Sequence, residues 1–282
     1  MNAARSPHDP TRLESHFAFG KNWEAFAQSL DSSRLETAKG ELVALLGRPS
    51  FDGERWIDIG CGSGIHAVAA ASLGATVLAV DIDPISVSTT IEVAERFGVS
   101  NRVYTRVTSV FDLEGSTQRF DVVYSWGVLH HTGDMERAVR IASALVDNGP
   151  DSDLVLALYR RTRLCGFWGR EKRWYTSARP RAQRLAQGFF SGLYGLSFLV
   201  RGRSFASFKR GYQSRRGMDF RTDVHDWLGG YPYESIVHDE FVSEMSALGF
   251  RVERQVVRYP GRTPSGLFGS GCDEYVFRRD SA

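Results

Sequence analysis

The sequence predicts an α/β protein: a doubly wound, mostly parallel sheet of seven strands with a largely helical, basic insertion after the fifth. Three observations carry that expectation. Short apolar, β-branched runs alternate with helical stretches from residue 55 to residue 159, and such alternation implies parallel pairing through right-handed crossovers. After a break, the rhythm resumes with one helix and two strand-like runs that have no helix between them, the mark of an antiparallel closing pair. The first strand also runs into WIDIGCGSG, residues 56–64, an apolar run ending in alternate glycines.

Taken in order, Arg55–Gly60 reads as the first strand and the alanine-rich Ser63–Leu73 as a helix. Thr76–Asp81 (TVLAVD) is the second strand, and Pro84 opens the helix that continues over Ile85–Phe97, because proline suits a first helical turn. Arg102–Val110 alternates as a third strand, Phe120–Trp126 (FDVVYSW) is a fourth, Met135–Val146 a helix and Asp153–Tyr159 a fifth strand. The closing unit comprises a helix at His238–Leu248 and strands at Phe250–Arg258 and Cys272–Arg278, joined by a Gly/Pro-rich turn. The expected organisation is an N-terminal lid or helical segment over 1–50, a core over 51–159, the insertion over 160–233 and the closing unit over 234–282.

The 282 residues are 42% hydrophobic and 24% charged, the composition of an ordinary globular α/β chain. Cys61, Cys165 and Cys272 lie far apart with no CxxC, which disfavours a disulfide framework or a structural zinc and suits a reducing compartment. The opening MNAARSPHDPTRLESHF lacks the apolar core of a signal peptide. The expected location is the cytoplasm. The net charge of +2 hides an asymmetry. Arg160 to Arg216 carries fifteen Lys/Arg against the single acid Glu171, leaving 20 basic and 32 acidic residues elsewhere. Charge segregated this sharply points to an anionic partner on one face.

The glycines of DIGCGSG let bare backbone approach a ligand beside a helix N-terminus. Gly62, Gly64 and Ala67 even match a loose dinucleotide fingerprint. Asp58 argues otherwise, since a carboxylate repels a pyrophosphate and pairs with an ammonium, and the closing hairpin replaces a second βαβ half. The lack of Gly-Lys-Ser/Thr excludes a P-loop.

DIGCGSG, VDIDP and FDVVYSWGVLHHTGD together resemble the successive motifs of class I S-adenosylmethionine (SAM)-dependent methyltransferases, over residues 51–160. RGMDF, DWLGGYPYE and GSGCDEYVF resemble a bacterial branch loosely grouped with the ubiquinone O-methyltransferases. The resemblance implies the class I methyltransferase fold, SAM as cofactor, and roles for matched residues. Asp58, Gly60, Gly62 and Gly64 would surround the methionine part. Asp81 would accept the ribose hydroxyls, as a cis-diol requires, and Ile82 would pack on the adenine face. Ser109 and Val110 would lie beside the adenine edge. Serine there departs from the family's usual acid, and Asp112 is the nearest replacement. Trp126 completes the cofactor set.

The loop SWGVLHHTGD follows the fourth strand, where this fold presents groups to the methyl. It has no (N/D)PPY tetrad, which disfavours DNA- and glutamine-directed chemistry. A hydroxyl acceptor needs its proton removed, and histidine titrates near neutral pH. His130 and His131 are therefore the base candidates, with His130 preferred. A second cluster, Asp219, Asp223, His225 and Asp226, adds Asp226 as a catalytic candidate, without a defined metal-ligand pattern. HFAFGKNWEAF reads as a lid strip around Asn22 and Trp23 or as core packing.

The insertion alternates Arg/Lys clusters with aromatics around GFFSGLYGLSFLV, Gly188–Val200. Thirteen residues are too few to span a bilayer, and flanking arginines suit an interfacial or partner-covered helix. Four readings remain open: a cover for an apolar or polyprenyl-linked acceptor, a phosphate grip for a nucleotide- or lipid-linked sugar, an RNA-binding face, and a homodimer interface. The expected function is O-methylation of a small anionic or amphiphilic metabolite, with nucleic acid disfavoured and peripheral membrane contact foreseen. N- or RNA-methylation and a non-catalytic SAM-binding protein are the alternatives.

Overall fold

A computed structural model describes residues 19–212 and 220–280. Two helices, α1 (Gly20–Ala27) and α2 (Ser32–Leu46), precede the sheet. The core then runs β1 (Arg55–Ile59), α3 (Ile65–Ser72), β2 (Thr76–Asp81), α4 (Pro84–Arg96), β3 (Val103–Val107), β4 (Val122–Trp126), α5 (Met135–Ala144) and β5 (Asp153–Tyr159). The insertion holds α6 (Cys165–Ser177), α7 (Pro180–Val200), α8 (Phe205–Arg210) and α9 (Phe220–Gly229). The chain closes with α10 (His238–Ala247), β6 (Phe250–Val256) and β7 (Cys272–Arg279).

Seven strands form one sheet in the order β3-β2-β1-β4-β5-β7-β6. The first five pair in parallel, and β7 is antiparallel to both β5 and β6. The order reverses between β1 and β4, so the carboxyl ends of those strands open a crevice, the usual ligand site of such sheets. One apolar layer, including Leu42, Val68, Val77 and Val93, packs between the sheet and helices α2, α3 and α4. The other, including Ile57, Val123, Ile141, Leu156 and Phe277, packs against α5 and α10. A third cluster, Trp168, Tyr175, Phe190, Val224 and Leu228, belongs to the insertion.

Two expectations need correction. The third strand ends at Val107 and not Val110, because Ser109 caps a 3-10 turn over Val110–Leu113. The apolar stretch Gly188–Val200 is the second half of a longer helix that begins at Pro180, where proline occupies the first turn. Nor are all the insertion's cations on the surface. Arg160 is buried, paired with Asp273 at 2.8 Å and donating to the carbonyls of Tyr259 and Arg262. Lys172 is fully buried, donates to the carbonyl of Trp227 and lies 3.6 Å from that ring's centroid.

Candidate active site

The loop after β1 is shaped by backbone alone. Gly60 has φ +80°, and a Cβ there would meet the Val128 side chain at 2.4 Å. Gly64 has φ +76° and precedes α3. The loop is fastened to β2: the N–H groups of Gly60 and Cys61 donate to the Val80 carbonyl, and that of Gly62 donates to Asp81 Oδ2 at 3.1 Å. Asp81 Oδ1 accepts from the Asp83 N–H at 2.9 Å. Burial raises the Asp81 carboxyl to about 6 despite those donors.

Asp58 is buried at the end of β1. Burial pushes its carboxyl up to about 7, with nearby His66 opposing and Asp81 adding to the rise. A carboxylate this desolvated suits a cationic partner. A pyrophosphate would meet two carboxylates here. The donor set therefore fits SAM, whose ammonium would face Asp58 and whose ribose would face Asp81. Ile82, Ser109, Val110 and Trp126 line the same cavity. The Ser109 hydroxyl accepts from the Phe111 N–H, and Asp112 turns back to accept from the Ser109 N–H. Asp112 is thus exposed and spent on a capping box; it does not replace the missing acid at the adenine edge.

The two histidines diverge because Leu129–His131 forms a 3-10 turn. His130 is 0% exposed and does not line the cavity. Its Nδ1 accepts from the Tyr159 N–H at 3.3 Å, its ring lies 3.9 Å from the Tyr159 ring, and burial holds its basicity well below the usual range. The preference for His130 is therefore corrected. His131 lines the cavity. Its Nδ1–H donates to the Pro232 carbonyl at 2.6 Å, which leaves Nε2 as the acceptor nitrogen, the arrangement a general base needs.

Asp226 and Asp223 of α9 also line the cavity. Asp226 accepts from Asn22 of α1, and Asp223 from the Tyr212 hydroxyl. Asp219 lies outside the described residues. His225 points elsewhere, to the Tyr175 hydroxyl at 2.6 Å. Helix α1 closes over the loop: Trp23 lies 3.2 Å from where a Gly62 Cβ would be, the Gly20 N–H donates to Asp83 at 3.1 Å, and the Phe19 ring is 5.5 Å from His131.

The cavity measures about 2140 Å³ and runs from the β1 and β2 tips to the insertion, where Phe190, Tyr194, Arg201, Phe208 and Phe220 line it. An ordinary ligand pocket holds roughly 300–1,000 Å³, so this one has room for the cofactor and a sizeable acceptor. Sequence reasoning missed three contributors. His66 faces Trp126 at 6.3 Å and belongs to the cavity wall, although its place in the first turn of α3 put it within reach of the glycine loop. Gly230 packs on His131, where an added Cβ would be 2.9 Å from the ring. The turn between β6 and β7 forms one wall through Pro264–Gly271, held by Trp168 Nε1 donating to the Gly266 carbonyl at 2.7 Å.

Known proteins share this framework. The chain is 38% identical over 99 residues to a ubiquinone biosynthesis O-methyltransferase of Methylocella silvestris, a match covering 35% of this chain and 38% of that protein. To the ubiquinone biosynthesis O-methyltransferase of Azorhizobium caulinodans it is 28% identical over 170 residues, 56% of this chain and 66% of the relative. The matches thus span from about two fifths to two thirds of these relatives' length. The fold is similar to that of PKMT2 from Rickettsia typhi in complex with AdoHcy, with a TM-score of 0.54 at 14% identity over 88% of this chain and 53% of that one. A family model described as "Methyltransferase domain" matches residues 32–193, more than half of the 282, and the chain belongs to that methyltransferase family.

Proposed function

We propose that this chain is a SAM-dependent O-methyltransferase acting on a hydroxyl of a small anionic or amphiphilic metabolite, a phenol or quinol best matching the aromatic far end of the cavity. The observation that carries this reading is His131: its ring lines the cavity shared with Asp58 and Asp81, and its Nδ1–H donates to the Pro232 carbonyl, which in the neutral imidazole makes Nε2 the basic nitrogen. The O-methyltransferase relatives support the choice of oxygen, and the AdoHcy-bound neighbour supports the cofactor.

When bound, SAM supplies an electrophilic methyl group. Asp58 and Asp81 would hold its amino acid and ribose ends, and the glycine loop would give it backbone contact. Helix α1 would help exclude water, because Phe19 and Trp23 line the cavity and Asn22 ties the helix to Asp226 of α9. His131 Nε2 would take the acceptor's hydroxyl proton as the oxygen attacks. Phe190, Tyr194, Phe208 and Phe220 would orient an acceptor ring by stacking and edge contacts.

The test is a methyl-transfer assay with labelled SAM over phenols, catechols, quinols and, as nitrogen acceptors, arylamines, for wild type and His131→Gln. Turnover should fall about 10²–10⁴-fold in the variant, with affinity for S-adenosylhomocysteine unchanged. Full turnover in His131→Gln, or label only on nitrogen acceptors, would reject this assignment.

A further inference from the structure

We propose that the outward face of α7 is a docking surface for an anionic lipid bilayer. The inward face of this helix packs into the insertion: Phe190 lies 5.9 Å from Trp168, Tyr194 4.9 Å from Phe268 and Phe198 4.6 Å from Phe208, ring centre to ring centre. A helix so anchored ordinarily turns polar side chains to solvent. Here the outward side is apolar. Leu185, Phe189, Leu193, Leu196, Leu199 and Val200 are all exposed, from 43% at Leu193 to 80% at Val200. At about 100° per residue they fall within roughly a third of the helix circumference and extend along some 22 Å of its axis. None of the six lines the cavity. Among the described residues no helix is long and apolar enough to cross a membrane, so a bilayer would be met along the side of α7.

Charge selects the occupant. Exposed Arg181 and Arg184 stand before the stripe, Arg201 and Arg203 after it, and Lys209 and Arg210 on neighbouring α8. From Arg173 to Arg216 the chain has no acid, and both carboxylate oxygens of Glu171, the one acid between Arg160 and Arg216, are buried. A second copy meeting this face about a two-fold axis would set the arginines against their own equivalents. A nucleic acid would use the arginines but leave six aliphatic and aromatic side chains with little to stack on, five of them being Leu or Val. An apolar plane under negative headgroups matches both the stripe and its cationic rim.

The experiment is flotation of the full chain with phosphatidylglycerol-containing vesicles and with pure phosphatidylcholine vesicles. Binding should require phosphatidylglycerol and weaken as salt rises. The double variant Leu196→Glu/Leu199→Glu should bind about tenfold more weakly or worse, with circular dichroism and S-adenosylhomocysteine affinity unchanged. Arg181→Gln/Arg184→Gln should reduce both the binding and its salt dependence. Three results would overturn the proposal: no flotation at low salt, undiminished flotation of the leucine variant, or a wild-type dimer in ultracentrifugation that the leucine variant dissolves.

Discussion

The two ends of the cavity are built by different means. At the sheet end, Asp58, Asp81 and the glycine loop are carried on the tips of paired strands, and the N–H groups of Gly60, Cys61 and Gly62 each have a named partner on β2. At the insertion end, Phe190 and Tyr194 of α7, Phe208 of α8 and Phe220 of α9 are placed by ring against ring. Backbone hydrogen bonds between adjacent strands are set by register and tolerate little displacement. Ring contacts are less directional and allow repacking. The difference suggests a division of labour: a rigid end for an invariant cofactor and an adaptable end for the acceptor.

Four substitutions would break or sharpen that contrast. The largest effect should come from Gly60→Ala. A left-handed φ costs a residue with a Cβ about 1–2 kcal/mol, and overlap with Val128 adds roughly 1–3 kcal/mol. A combined loss of about 3 kcal/mol should appear as a lower Tm and as weaker S-adenosylhomocysteine binding in calorimetry.

Asp58→Asn comes next and should act with opposite signs on binding and stability. In the ligand-free fold the Asp58 carboxyl is raised to about 7 from 3.8. The folded state therefore holds its proton more tightly than the unfolded chain, and stability falls as pH rises through that interval. Removing the carboxyl should stabilise the ligand-free fold at pH 8 by something on the order of a few kcal/mol, read as a higher Tm. It should also weaken S-adenosylhomocysteine about 10–100-fold. In the wild type, affinity should increase between pH 6 and pH 8 as Asp58 ionises; in the variant this slope should flatten. A ligand-free Tm lowered by the substitution would contradict the desolvated carboxylate.

Phe190→Ala should touch only the other end. Removing a nearly buried phenylalanine costs about 3 kcal/mol, and KM for the acceptor should rise about tenfold while cofactor affinity holds. The smallest effect belongs to His130→Gln, whose side chain is sealed behind Tyr159. Turnover should change by less than about tenfold; a loss as large as that of His131→Gln would return the base to His130.

The contrast also separates what could be read in the chain from what could not. Strands β2 and β5 occupy the spans their apolar runs indicate, because a run of β-branched residues between turn signals is a local property. Asp81 at the tip of β2 follows from the same pattern. The choice between His130 and His131 did not follow, since adjacent side chains in a 3-10 turn diverge by an angle that neither strand nor helix periodicity supplies. Asp112 misled for a similar reason: its spacing from Ser109 is that of a capping box as much as of a ligand contact.

By itself, then, the sequence determined the alternation of strands and helices, the glycine loop and the acids beside it, all features written within a few residues of one another. Tertiary structure alone decided what lines the cavity. Asn22 meets Asp226 across 204 residues, the Pro264–Gly271 turn meets Trp168 across 98, and His131 is oriented by a carbonyl 101 positions away. Such contacts depend on how layers stack, and stacking is a sum over many weak, non-directional contacts that no short spacing encodes. The outward stripe of α7 belongs to the same class: its composition is legible in GFFSGLYGLSFLV, but which half is covered depends on the aromatics it meets in space.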